Sequence, residues 1–234
     1  MDLTEKSRRV PEKILLGPGP TPVEGRILRA MAEPTLGHLD RDFVAIMDET
    51  RDLLRMVFQT GNDLTVAMSG TGSAGMETAC VNMIERGDKA IICSHGVFGS
   101  RMQDVAGRCG AEVVEVNAPM GRPIDPGDVE RAVKANPDAK FLGIVHAETS
   151  TGVLQPLDEI ANLAHMAGMF MIVDAVTSLG GMEVPVDRLG LDMVYSGSQK
   201  CLGCPPGLAP VTVGPRAVEH IKGRKTKVQS WYLD

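Results

Sequence analysis

From residue 64 onward, short apolar runs recur along the chain and helical patterns fall between them. Leu64-Thr65-Val66-Ala67-Met68 predicts a strand. Residues 73–86 follow as a helix, with Met76, Ala79, Cys80 and Met83 on one face. Ala90–Cys93 predicts a strand, residues 98–109 a helix, and Glu112–Val116 a third strand. Asp125-Pro126 opens a helix running to 135, because Asp suits the cap and Pro the first helical position. Phe141–Val145 then predicts a strand, 156–167 a helix, and Phe170–Val173 a strand ending at Asp174. Met193–Tyr195 and Ala209–Val213 add two more. These runs are continuous rather than alternating, as in strands covered on both faces. The pattern predicts an α/β fold: a mostly parallel sheet of the seven-stranded type with helices on both faces.

Residues 1–60 break this rhythm. A Pro/Gly-rich arm, Gly17-Pro18-Gly19-Pro20-Thr21-Pro22, precedes one long helical pattern near 42–58. We read residues 1–22 as an arm and 23–234 as one large domain. A further helix starts after residue 215 with Ala217, Val218 and Ile221. Composition narrows the partners. The 24 basic and 30 acidic residues leave a net charge of −6, which argues against nucleic acid and anionic membrane surfaces. Aromatics at 3% argue against base-stacking platforms. No apolar run reaches the ~18 residues a membrane span needs. Met1 to Arg9 is charged and lacks the apolar stretch of a secretory signal. Cys80, Cys93, Cys109, Cys201 and Cys204 make an odd count, which points to a reducing compartment and a cytoplasmic protein.

In an open parallel sheet, ligands bind beyond the carboxyl ends of the strands, so the residues that follow each strand carry the chemistry. Ser69-Gly70-Thr71-Gly72-Ser73-Ala74-Gly75 lies between a strand and a helix start, where amide donors and the helix dipole favour phosphate. Its glycines also spell GxGxxG. A dinucleotide site needs an acid ending the next strand, yet that strand ends Cys93-Ser94-His95-Gly96. A tight turn with packing glycines is the plainer alternative. Asp174 ends a strongly apolar strand, where a carboxylate needs a cation or donors, or else caps the next segment. Lys200 stands in Ser196-Gly197-Ser198-Gln199-Lys200-Cys201-Leu202-Gly203-Cys204, a small-residue loop after a strand. A desolvated lysine forms Schiff bases; a solvated one does nothing special. The CxxC of Cys201 and Cys204 has no second ligand pair for zinc, and Pro205-Pro206 stands where a redox motif would open a helix. The five histidines show no metal spacing; His146 follows a strand and His165 falls in a helical pattern. A phosphate loop, a buried acid and a loop lysine after strands of one sheet are the set that pyridoxal phosphate requires.

The chain also resembles the class V pyridoxal-phosphate aminotransferases, in particular those of the alanine–glyoxylate (serine–pyruvate) type. The resemblance runs through Leu15-Leu16-Gly17-Pro18-Gly19-Pro20, Val57-Phe58-Gln59-Thr60 and Glu148-Thr149-Ser150-Thr151-Gly152-Val153-Leu154-Gln155-Pro156. It continues through Val173-Asp174-Ala175-Val176-Thr177-Ser178-Leu179-Gly180-Gly181, Tyr195–Lys200, Arg224–Lys227 and Trp231–Asp234. It implies the fold type I large domain and pyridoxal 5'-phosphate as cofactor. It implies Lys200 as the Schiff-base lysine and Asp174 as partner of the pyridine nitrogen. Thr71, Gly72, Ser73 and Gln199 match phosphate ligands, and Thr149 matches the hydroxyl near the ring oxygen. Phe98 takes the place of the aromatic that stacks on the ring, often Trp in such proteins. Gly19 lies on the arm lining the substrate pocket. The implied reaction moves an amino group between alanine or serine and glyoxylate or another small 2-oxo acid, in a homodimer. Serine–glyoxylate or pyridoxamine–pyruvate transamination, or a non-catalytic fragment, are the alternatives. The family's smaller C-terminal domain, with the arginine that grips the substrate carboxylate, is absent from these 234 residues.

Overall fold

The computed structural model describes residue 11 and residues 13–234, so the reading of Met1–Arg9 falls outside it. Seven strands form one sheet: β1 (Leu64–Ser69), β2 (Lys89–Ser94), β3 (Glu112–Asn117), β4 (Phe141–Val145), β7 (Phe170–Asp174), β8 (Met193–Tyr195) and β9 (Leu208–Val213). A small antiparallel pair, β5 (Ala147–Glu148) and β6 (Val153–Leu154), lies outside it and is absent from the sequence reading. The strand order is β1-β9-β8-β7-β4-β2-β3. β9 runs antiparallel to both β1 and β8, and the remaining pairs are parallel. Every predicted strand is present, within one residue at each end.

The helices are α1 (Gly25–Ala30), α2 (Arg41–Phe58), α3 (Gly72–Met83), α4 (Val97–Arg108), α5 (Pro126–Ala135), α6 (Asp158–Met166), α7 (Val186–Leu189) and α8 (Pro215–Lys222). The two short ones, α1 and α7, carry too few turns for a periodic signal. α3 stops at Met83, short of the predicted 86, because the chain turns extended at Ile84. Arg224 Nη1 then donates to the carbonyls of Asn82 and Ile84 at 2.8 and 2.9 Å, satisfying acceptors that a helix end leaves open.

The continuous apolar strands serve two cores. Ile91, Cys93, Leu142, Ile144, Met171 and Val173 pack on one face with Phe58, Val129, Ile160 and Ala164. Ala90, Ile92, Phe141, Val145, Ile172 and Tyr195 pack on the other with Met76, Ala79, Met102 and Ala106. Adjacent residues alternate faces, and both faces are covered, which is why no polar alternation shows in the sequence. α3 is buried on most of its surface because it lies on β8 and β9 and against α4 and α8. At Gly75 a Cβ would stand 3.1 Å from Tyr195, so glycine permits that close approach. Among the described residues, no helix is long and apolar enough to cross a membrane.

Candidate active site

The carboxyl ends of the parallel strands converge on a cleft of about 210 Å³. Thr71, Gly72, Ser73, Phe98, Asp174, Gln199 and Lys200 all line it. Met76, Arg101 and Val176 complete the wall.

Asp174 ends β7 and is 2% exposed. Its Oδ1 accepts the Val176 N–H at 2.8 Å and its Oδ2 the Tyr195 hydroxyl at 2.9 Å. Tyr195 is opposite Asp174 across the β7–β8 ladder, so strand register aims one at the other. Burial outweighs these donors and lifts the Asp174 carboxyl to about 6. A protonated ring nitrogen would supply the cationic partner that this carboxylate lacks.

Lys200 is half-buried, and burial moves its pKa down despite the opposing charge of Asp174. That direction favours the neutral, nucleophilic amine. Its Nζ donates to the Pro18 carbonyl at 2.6 Å. Gly19 does not line the cleft but presses on this side chain: a Cβ would come 2.6 Å from Lys200 Cδ, and its φ of +111° suits only glycine. Thr21 N–H bonds to the Gln199 carbonyl at 3.3 Å, so the arm is strapped across the lysine loop.

No side chain caps α3, which leaves its first amides to the cleft. Gln199 Oε1 is buried and has no partner, and rotation of that amide exchanges oxygen for nitrogen. Phe98, half-buried, is the second residue of α4. Its amide donates to Glu148 at 3.1 Å, as do the amides of Gly99 at 3.2 Å and Ser150 at 3.1 Å, and the Ser150 hydroxyl at 2.7 Å. Glu148 is thus a buried carboxylate stabilised by donors and a helix N-terminus, and it holds the Phe98 backbone in place. Thr149 is outside the cleft lining; its hydroxyl bonds to that of Thr177. His95 and His146 are buried, and burial moves both pKa values down. β2 ends at Ser94 with His95 beyond it, so the acid a dinucleotide site requires is missing there. Among the described residues, no group of three or more His, Cys, Asp or Glu could hold a metal.

The set fits pyridoxal phosphate: an amine with lowered pKa, a fixed carboxylate, an aromatic face and an open helix N-terminus share one cleft. The model of the class V aminotransferases matches residues 26–228. The chain belongs to that family. It is 42% identical over 226 residues to the alanine–glyoxylate aminotransferase of Drosophila melanogaster, covering 96% of this chain and 57% of that protein. It is 39% identical over 215 residues to the (S)-ureidoglycine–glyoxylate transaminase of Bacillus subtilis, covering 92% of this chain and 51% of that one. The crystal structure of alanine–glyoxylate aminotransferase from Nostoc sp. matches with a TM-score of 0.96 at 45% identity, over 99% of this chain and 61% of that chain. This class V chain therefore spans little more than half the length of these relatives. Its predicted fold class, the large-domain sheet of pyridoxal-phosphate aminotransferases, is borne out.

Sequence reasoning missed Tyr195, Glu148 as a buried anchor, and Arg101. Arg101 had a legible signal, since it follows Phe98 by one helical turn. Tyr195 had none, because strand register is a tertiary property.

Proposed function

We propose that this chain is the cofactor-binding part of a pyridoxal-phosphate aminotransferase. It transfers the amino group of a small amino acid, alanine or serine, to glyoxylate or another small 2-oxo acid. The single observation that carries this reading is the cleft in which Lys200 Nζ, the Asp174 carboxylate and the open N-terminus of α3 lie together. The names of the two curated relatives both include glyoxylate, which supports it as acceptor.

Thr71, Gly72, Ser73 and Gln199 would hold the phosphate, Asp174 the ring nitrogen, and Phe98 the ring face, with Lys200 at the aldehyde. When bound, the cofactor supplies an electron sink for the charge left when a substrate Cα proton departs. Lys200, with its pKa lowered by burial, accepts and returns that proton as general base and acid. Tyr195 and Val176 hold the Asp174 carboxylate in place, so its charge keeps the ring nitrogen protonated. Gly19 and the Pro18 carbonyl orient Lys200 from the arm side. Thr149, outside the cleft lining, would be the hydroxyl nearest the ring oxygen if it follows the family pattern.

We assign residues 1–22 to an arm and 23–234 to the large domain. A homodimer is supported by the apolar residues that α1 and α2 leave exposed. Five free cysteines fit a reducing, cytoplasmic setting.

The test is a titration of the 234-residue chain with pyridoxal phosphate. The expected result is the visible absorption band of lysine-bound cofactor, lost in Lys200→Ala. A band of equal strength in that variant overturns the assignment of Lys200. Amino-donor panels with glyoxylate and pyruvate then fix the substrates, with pyridoxamine and (S)-ureidoglycine included as donors. A band without turnover identifies a binding fragment.

A further inference from the structure

Arg101 is a charged residue of the cleft to which the proposed chemistry gives no task. It projects from α4 one turn beyond Phe98. Its Nη1 donates to Ser73 Oγ at 3.1 Å, and its guanidinium carbon stands 4.7 Å over the Phe98 ring. Neither contact is with an anion. Among the described residues Arg101 enters no ion pair. The ionisable side chains lining the cleft are Arg101, Lys200 and Asp174, and of the two basic ones only Arg101 has no role in the proposed proton transfer. Stacking on an aromatic face uses none of the in-plane donors of a guanidinium, so most of its fork remains free to bond an anion at its edge.

The position says which anion. Ser73 is the second residue of α3, beside the uncapped helix N-terminus. A phosphate monoester carries nearly two negative charges at neutral pH, and a helix N-terminus offers only about half a positive one. Asp174, the one anionic side chain of the lining, is held by Val176 and Tyr195 and is not bonded to Arg101.

We propose that Arg101 is a phosphate-binding residue of this site, gripping the cofactor's phosphate from the α4 side together with Ser73 and the first amides of α3. This rests on the cofactor reading above. It differs from a packing role on Phe98, which would alter affinity for the phosphorylated and unphosphorylated aldehydes alike.

The experiment compares pyridoxal phosphate with unphosphorylated pyridoxal. Both are titrated into the cofactor-free chain and followed by the visible band, in the original protein, Arg101→Gln and Arg101→Lys. In parallel, inorganic phosphate is added and the thermal midpoint recorded. Arg101→Gln should weaken pyridoxal phosphate by about tenfold to a hundredfold, the range for a charge-assisted contact. Pyridoxal affinity should stay within about twofold, the stabilisation by inorganic phosphate should vanish, and Arg101→Lys should recover part of both. Equal losses for the two aldehydes, or no loss for either, overturn the proposal. Should neither aldehyde give a band in the original protein, the cofactor reading falls on its own. Inorganic phosphate then decides Arg101: an equal shift in the original protein and Arg101→Gln overturns it, and a shift confined to the original protein supports it.

Discussion

The sheet and the N-terminal helices treat apolar residues in opposite ways. In β2, β4, β7 and β8, Ile91, Phe141, Leu142, Ile144, Met171 and Tyr195 are fully buried. In α2, eighteen residues long, only Leu54 and Phe58 are buried. Val44, Ile46, Met47, Leu53, Met56 and Val57 on the same helix are exposed, and α1 buries nothing. The sheet is covered on both faces by helices of the same chain, α3 and α4 among them on one side and α5 and α6 on the other. α2 docks one side on β1 and β9, and its remaining large apolar residues stay between about a third and three quarters exposed. The sheet is thus closed within one chain, whereas α1 and α2 leave apolar side chains exposed, the surface on which the proposed homodimer would form. The cleft lies where the two regime types meet, with the arm against Lys200.

Substitutions can break this contrast. The largest effect belongs to the sheet. Phe141→Ala empties a site buried on all sides and should cost about 3–5 kcal/mol in urea unfolding. Met56→Ala, at 73% exposure on α2, should stay within about 0.5 kcal/mol. Comparable losses at the two positions would erase the distinction.

The next effect is set by pH. Burial lifts the Asp174 carboxyl from 3.8 to about 6. The folded chain therefore keeps a proton that the unfolded chain has already lost. Its contribution is intact below about pH 4 and is lost as pH rises through about 6, by up to about 3 kcal/mol in the cofactor-free chain. Asp174→Asn should remove that decline, so the stability difference between the two proteins should grow from pH 4 to 7. A pH-independent difference would contradict the burial argument.

A smaller effect is expected at the boundary. Gly19→Ala should force the arm off the lysine loop, since the side chain meets Lys200 and the backbone stays left-handed. Residues 13–22 are mostly exposed, so global stability should fall by under about 1 kcal/mol while proteolysis there accelerates. An unchanged cleavage rate would show that the arm is not held through Gly19. The smallest effect on stability belongs to Ile46→Glu, at 52% exposure. The protomer should change by under about 0.5 kcal/mol, whereas self-association in sedimentation experiments should weaken sharply. Unaltered association would direct attention away from α2 as the contact.

Much of this was legible in residues alone. Phe141–Val145 and Phe170–Asp174 announce strands because an apolar run of that length, flanked by helical patterns, has few other uses. Lys200, Asp174 and the Thr71–Ser73 loop were readable because each follows a strand, and parallel strands end on one edge. Glu148 escaped notice because its donors come from residues about fifty positions away as well as from its neighbour Ser150. β5 and β6 escaped because a two-residue strand has no period.

The sequence by itself determined the strand–helix alternation, the apolar character of both sheet faces and the types of group available to bind a phosphorylated aldehyde. These depend on local pattern and composition. Only the tertiary structure decided that Tyr195 aims at Asp174, that Arg101 reaches Ser73, that the Pro18 carbonyl meets Lys200 and that the apolar side of α2 stays open. The first three are contacts between separate segments and the last is the lack of a covering segment among the described residues; register and packing set them all, and no local pattern encodes them.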